Sequence, residues 1–115
     1  MKDSEKCSKC GFCKADCPIF KEILEEKYSP RTKIILVNEK INHSIFYHCS
    51  LCKACEKDCP AGIIITDEII KMREDLVRRG IETEENKKMI ENIRKFGNPY
   101  GEEKEGETPK DLYCC

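Results

Sequence analysis

The sequence predicts an all-α chain with short helices, two cysteine-rich loops and a flexible C-terminal tail. Three observations carry that expectation. A spacing of cysteines ending in proline occurs twice: Cys7, Cys10, Cys13, Cys17 and Pro18, then Cys49, Cys52, Cys55, Cys59 and Pro60, offset by 42 residues. The segments between and after these runs carry helix start and stop signals and helical apolar spacing. Charged residues make up 37% of the chain, with Lys and Glu interleaved as on solvated helix surfaces. At 115 residues the chain is long enough for one domain with a modest core.

In chain order, residues 1–6 are a polar lead and 7–18 the first loop, with Gly11 at its tightest point. Pro18 fixes φ, directs the chain away from the loop and suits the first turn of a helix. Residues 19–28 read as helical, with Phe20, Ile23, Leu24 and Tyr28 on one face. Ser29 as N-cap and Pro30 at the first helical position start a second helix. Its buried stripe is Ile34, Val37 and Ile41, with Ile35 beside it. The run Ile34-Ile35-Leu36-Val37 also fits a buried strand, but the cap favours a helix and nothing else in the chain would pair with it. Asn42-His43-Ser44 breaks the pattern, and Ile45, Phe46 and Tyr47 lead into the second loop as aromatic cover.

After Gly62 and Ile63-Ile64-Ile65, Thr66 reads as an N-cap, with Asp67 and Glu68 at the positive end of the helix dipole. That helix carries Ile69, Ile70, Met72, Leu76 and Val77, and closes with Arg78-Arg79 and Gly80. Thr83-Glu84-Glu85 opens a last helix, with Met89, Ile90, Ile93 and Phe96 as its stripe and Gly97 as its stop. Residues 98–110 are rich in Gly, Pro and charge, a linker composition. Asp111-Leu112-Tyr113-Cys114-Cys115 is apolar again. The expected division is a domain over 1–97 followed by a linker and tail over 98–115.

The spacing C-x2-C-x2-C-x3-C-P is that of bacterial-type ferredoxins, which hold [4Fe–4S] clusters; the fourth cysteine of each run ligates the other cluster. The expected ligand sets are therefore Cys7, Cys10, Cys13 and Cys59 for one cluster, and Cys49, Cys52, Cys55 and Cys17 for the other. Beyond the cysteines and prolines, Ser8/Ser50 and Asp16/Asp58 also match at the same offset. Such clusters move single electrons, and four cysteine ligands leave no coordination site for substrate. Structural zinc is the alternative reading, as a staple in an assembly module, but a triplet at this spacing is crowded for one tetrahedral ion. A disulfide scaffold fits poorly with two identical Cys-Pro runs and so much Lys and Glu. The polar start Met1-Lys2-Asp3-Ser4-Glu5-Lys6 is not a secretory leader. No run of about 18 apolar residues is present to span a membrane. These features point to a reducing, cytoplasmic setting, with docking to a membrane through a partner left open. A formal net charge of −1 gives no reason to expect nucleic acid. Two clusters would bring the total to about −5.

The two motifs and the helical stretch between them resemble the α-helical ferredoxin domain. That domain is found in an iron–sulfur subunit of heterodisulfide reductase and in those of glycolate oxidase, lactate utilisation and anaerobic glycerol-3-phosphate dehydrogenase systems. It occurs more distantly in succinate dehydrogenase. The likeness takes in Ser29-Pro30-Arg31, Phe46-Tyr47-His48-Cys49-Ser50-Leu51-Cys52, Cys59-Pro60-Ala61-Gly62-Ile63, the helix around Arg73, and Phe96-Gly97-Asn98-Pro99-Tyr100-Gly101. It covers residues 5 to about 101. It implies an electron-relay subunit of an oxidoreductase rather than a catalyst alone. The implied partners are a flavoprotein or ferredoxin as donor or acceptor and a cysteine-rich catalytic subunit. Residues 111–115 resemble the first strand of such a cysteine-rich domain, which makes the chain either a separate relay subunit or a truncation of a longer oxidoreductase.

Several residues carry smaller expectations. Cys114 and Cys115 read as a tail, or alternatively as the dithiol of a redox enzyme. His48, next to Cys49, reads as a rim residue, with tuning of the nearby cluster as the sharper alternative. His43 reads as a solvated turn residue. Arg78-Arg79 reads as a helix-terminal charge pair, and Phe46 and Tyr47 as shielding.

Overall fold

The computed structural model describes residues 3–108; the expectations for Cys114 and Cys115 lie outside the described residues. Within them all regular structure is helical: α1 (Pro18–Ile23), α2 (Pro30–Asn38), α3 (Ala54–Lys57), α4 (Ile65–Arg78) and α5 (Glu84–Phe96). Four 3-10 turns join them, at Asp3–Lys6, Phe12–Lys14, Glu26–Tyr28 and Ser44–Tyr47. The all-α expectation holds. No described helix is long and apolar enough to cross a membrane. The chain forms two compact units, the first ending at Gly80 and the second beginning at Ile81.

In the first unit, the local signals place α2 as expected. Ser29 accepts the Thr32 N–H at 3.1 Å, and Pro30 occupies the first turn. Ile34 and Val37 of α2 are buried with Ile45 and Phe46 from the 44–47 turn, Cys55 of α3, Ile63, and Ile65, Ile69 and Leu76 of α4. This one cluster is the core of the unit, and it packs directly behind both cysteine loops.

Three expectations need correction. The helix expected over 19–28 stops at Ile23, because Leu24 turns left-handed (φ 57°) and its N–H closes on the Phe20 carbonyl. Leu24 is 74% exposed instead of buried. The separate 26–28 turn is held by Glu26, whose carboxylate meets Lys14, Arg31 and Ser29. The stripe of α2 also ends early: Lys40 is left-handed (φ 57°), the Ile41 N–H returns to the Leu36 carbonyl at 2.9 Å, and Ile41 is exposed. Finally, Thr66 is not the N-cap of α4. The helix starts at Ile65, and Glu56 of α3 caps it by accepting the Thr66 N–H at 2.8 Å and the Thr66 hydroxyl. Ile70 and Val77 of this helix face solvent while Ile69 and Leu76 are buried, as an amphipathic stripe requires.

In the second unit, Thr83 caps α5 through the Asn86 N–H, and Gly97 ends it in the left-handed region (φ 78°), both as the sequence indicates. Asn92 then donates to the Pro99 carbonyl at 3.0 Å, while Asn98 accepts from the Tyr100 and Gly101 amides. None of the residues of α5 is fully buried.

Candidate metal centres

The two cysteine loops are one backbone design used twice. Lys9 and Leu51, at equivalent places, are both left-handed (φ 60° and 55°), as are Gly11 and Lys53 (φ 86° and 64°). Alternating left-handed residues turn each loop back on itself, which brings its first three cysteines to one side. The chain then leaves each loop through the Cys-Pro step. Cys17 serves as the N-cap of α1, its sulfur accepting the Phe20 N–H at 3.5 Å. Cys59 accepts the Ile63 N–H at 3.5 Å, and Cys49 the Leu51 N–H at 3.4 Å. Backbone N–H groups aimed at sulfur stabilise thiolate character.

Each fourth cysteine crosses to the other loop. One cavity is lined by Cys7, Cys10 and Cys13 together with Cys59, and closed by Gly11, Arg31, Ile34 and Ile63. A second is lined by Cys49, Cys52 and Cys55 together with Cys17, and closed by Lys33, Thr66 and Ile69. All eight of these cysteines are free thiols. Among the described residues no three His, Cys, Asp or Glu side chains close around a point as a single ion needs. Each cavity gathers four cysteines from two loops, the donor set that a polynuclear iron–sulfur centre takes.

Burial pushes the Cys13 thiol up to about 11, with neighbouring cysteines adding to the shift. Burial likewise raises Cys55, to about 12. Cys10, at the exposed edge of its loop, moves the other way because the Phe12 N–H favours its thiolate. Buried sulfurs gathered this closely are costly as bare anions, and iron is the compensating charge that such a donor set accommodates.

Charged side chains frame these cavities. Arg73 of α4 donates from Nε to the Phe46 carbonyl at 2.9 Å and from Nη2 to the Tyr47 and Cys49 carbonyls, fastening the entry to the second loop. Glu26 joins Lys14 of the first loop to Arg31 of α2, and the Lys14 ammonium leads in holding its carboxyl below the usual range. Lys33 is 1% exposed, and its Nζ donates to the Tyr28 and His48 carbonyls, each at 2.7 Å. The sequence hides this last residue: a lysine one position before an apolar stripe normally reads as solvated, and no pattern marked it for burial. His48 packs its ring against Tyr28, with centroids 5.0 Å apart, and is exposed at the rim. His43 caps its turn, Nδ1 accepting the Ile45 N–H at 3.1 Å.

The model of the 4Fe-4S dicluster domain family matches residues 3–63, about half of the chain and all of both cysteine runs. The chain belongs to the 4Fe-4S dicluster domain family. No curated protein matches it significantly. As a dicluster domain the chain carries two [4Fe–4S] clusters and has an iron–sulfur electron-transfer role. When bound, these clusters supply reversible one-electron redox chemistry. What the dicluster domain itself contributes is visible in its residues: thiol donors in two groups of four, amide N–H groups on sulfur, and an apolar wall of Ile34, Ile63, Ile65 and Ile69.

Proposed function

We propose that this chain relays single electrons within an oxidoreductase complex of the heterodisulfide-reductase type or a related one. One cluster is held by Cys7, Cys10, Cys13 and Cys59, and the other by Cys49, Cys52, Cys55 and Cys17. The observation that carries this reading is the crosswise lining of the two cavities, three cysteines from one loop and the fourth from the other. Four thiolates on each cluster leave no site for substrate, so the catalytic step belongs to a partner. The sequence features shared with the iron–sulfur subunit of heterodisulfide reductase and its relatives support a flavoprotein or ferredoxin on one side and a cysteine-rich catalytic subunit on the other. Residues 1–97 form the electron-carrying domain in this reading, with 98–115 as linker and tail, and the setting is cytoplasmic.

Anaerobic purification of the tagged holoprotein from its own cells tests the assignment. A flavoprotein or ferredoxin and a cysteine-rich subunit are expected to come with it. Reduction of the complex by the donor is expected to bleach the cluster absorbance before the catalytic subunit turns over. A complex whose turnover is unchanged when this chain is withdrawn would rule the relay out.

A further inference from the structure

We infer that Lys33 makes the cluster in the Cys17, Cys49, Cys52 and Cys55 cavity the easier of the two to reduce, so that an electron entering the chain settles there. The inference rests on the ligand sets proposed above.

The two cavities repeat one another in their cysteines and differ in their charges. Lys33 lines the second, with its ammonium group buried and bonded only to the neutral carbonyls of Tyr28 and His48. No carboxylate pairs with it among the described residues. A buried cation held by carbonyl dipoles alone is costly to maintain. The charge that would offset it is therefore the anionic centre of the cavity it faces. The less exposed cation of the first cavity is Arg31, about a third exposed and paired at 2.8 Å with the Glu26 carboxylate that it shares with Lys14, so carboxylate and solvent both screen it. Lys9 and Lys53 line the two cavities from exposed positions, where solvent screens them. Glu56 works against Lys33, since it follows Cys55 and caps Thr66 at the second cavity. Its charge, however, is engaged by the N-terminal N–H and hydroxyl of α4 and offset by the helix dipole.

Reduction adds one electron to a cluster core, with no bond made or broken, and the electron comes from the external reductant. A fixed buried cation beside the core favours the reduced state. It does so strongly because low-dielectric surroundings screen it little. Lys33 thus acts as a positioning charge and not as a ligand.

The test is an anaerobic dithionite titration of the holoprotein, followed by EPR, on wild type, Lys33→Met and Lys33→Arg. In Lys33→Met the higher of the two potentials is expected to fall by at least the equivalent of a tenfold change in the one-electron equilibrium, about 59 mV. The lower potential should hold, and Lys33→Arg should stay near wild type. Two unchanged potentials in Lys33→Met, or movement of the lower one alone, would overturn the inference. Should Lys33→Met take up fewer than two clusters, Cys10→Ser and Cys52→Ser decide the matter, since each marks one cluster by an altered signal. The signal that appears first in the wild type is expected to persist in Cys10→Ser and to be missing from Cys52→Ser, and the reverse pattern overturns the inference. A failure of the crosswise ligand sets would show separately, as a Cys59→Ser spectrum that does not resemble that of Cys10→Ser.

Discussion

Gly11 and Lys53 stand at the same place in the two loops, both left-handed, and only Gly11 does so without a Cβ. Adding one at Gly11 would strain the backbone and bring it to 3.3 Å from the Arg31 guanidinium. Gly11→Ala is expected to cost about 1–2 kcal/mol in denaturant unfolding of the holoprotein. Lys53→Gly relieves the same strain, and should leave stability unchanged or raise it by up to ~1 kcal/mol, the gain being trimmed by the freer unfolded chain. Arg73 is a second residue with a defined cost. Arg73→Met leaves the carbonyls of Phe46, Tyr47 and Cys49 without their shared donor, and a loss of about 2–3 kcal/mol is expected from unfolding of the holoprotein. At this scale the cysteines were legible because ligation demands fixed spacing. Lys33 and the capping role of Glu56 were not, because each depends on a partner from elsewhere in the chain: the His48 carbonyl for Lys33, and Thr66 for Glu56.

The elements with their own local signals formed where the sequence placed them. Ser29-Pro30 begins α2, and Thr83 and Gly97 bound α5, since a cap is a contact between near neighbours. The misplaced ends of α1 and α2 share a cause. Leu24 and Lys40 adopt left-handed conformations that favour glycine, so nothing in the residue type announces the stop. What holds these breaks is contact beyond the helix, such as the Glu26 node after α1 and the Asn38 side chain donating to the Ser4 carbonyl at 2.9 Å. The 44–47 turn contributes most to the core through Phe46, which is 0% exposed between α2 and α4. Phe46→Ala should cost about 3–5 kcal/mol in unfolding of the holoprotein and loosen the second loop, whose entry Arg73 fixes through the Phe46 carbonyl. A loss below about 1 kcal/mol would mean that this core is not shared between the helices.

Across the molecule, the helical class was legible in composition and periodicity, and the doubled cysteine run carries the expectation of crosswise ligation. The first unit buries a small set of apolar side chains directly behind the two cavities. Its helices are short, and α1 and α3 are too short to be stable by themselves. Metal binding then becomes folding free energy, because clusters tie residues far apart in sequence to one centre. Removing iron and sulfide by chelation under denaturing conditions, followed by return to buffer, should leave a chain with weak helical circular dichroism and no cooperative melt. A native-like cooperative transition in the cluster-free protein would show that the helices hold without their staple.

The crosswise joining of the two halves is the central claim, and EPR of four dithionite-reduced holoprotein variants tests it most directly. Cys59→Ser is expected to change the same signal as Cys10→Ser, and Cys17→Ser the same signal as Cys52→Ser, since each pair shares one cavity. If Cys59→Ser changed the signal altered by Cys52→Ser instead, each loop would hold its own cluster, and the crosswise joining would be contradicted.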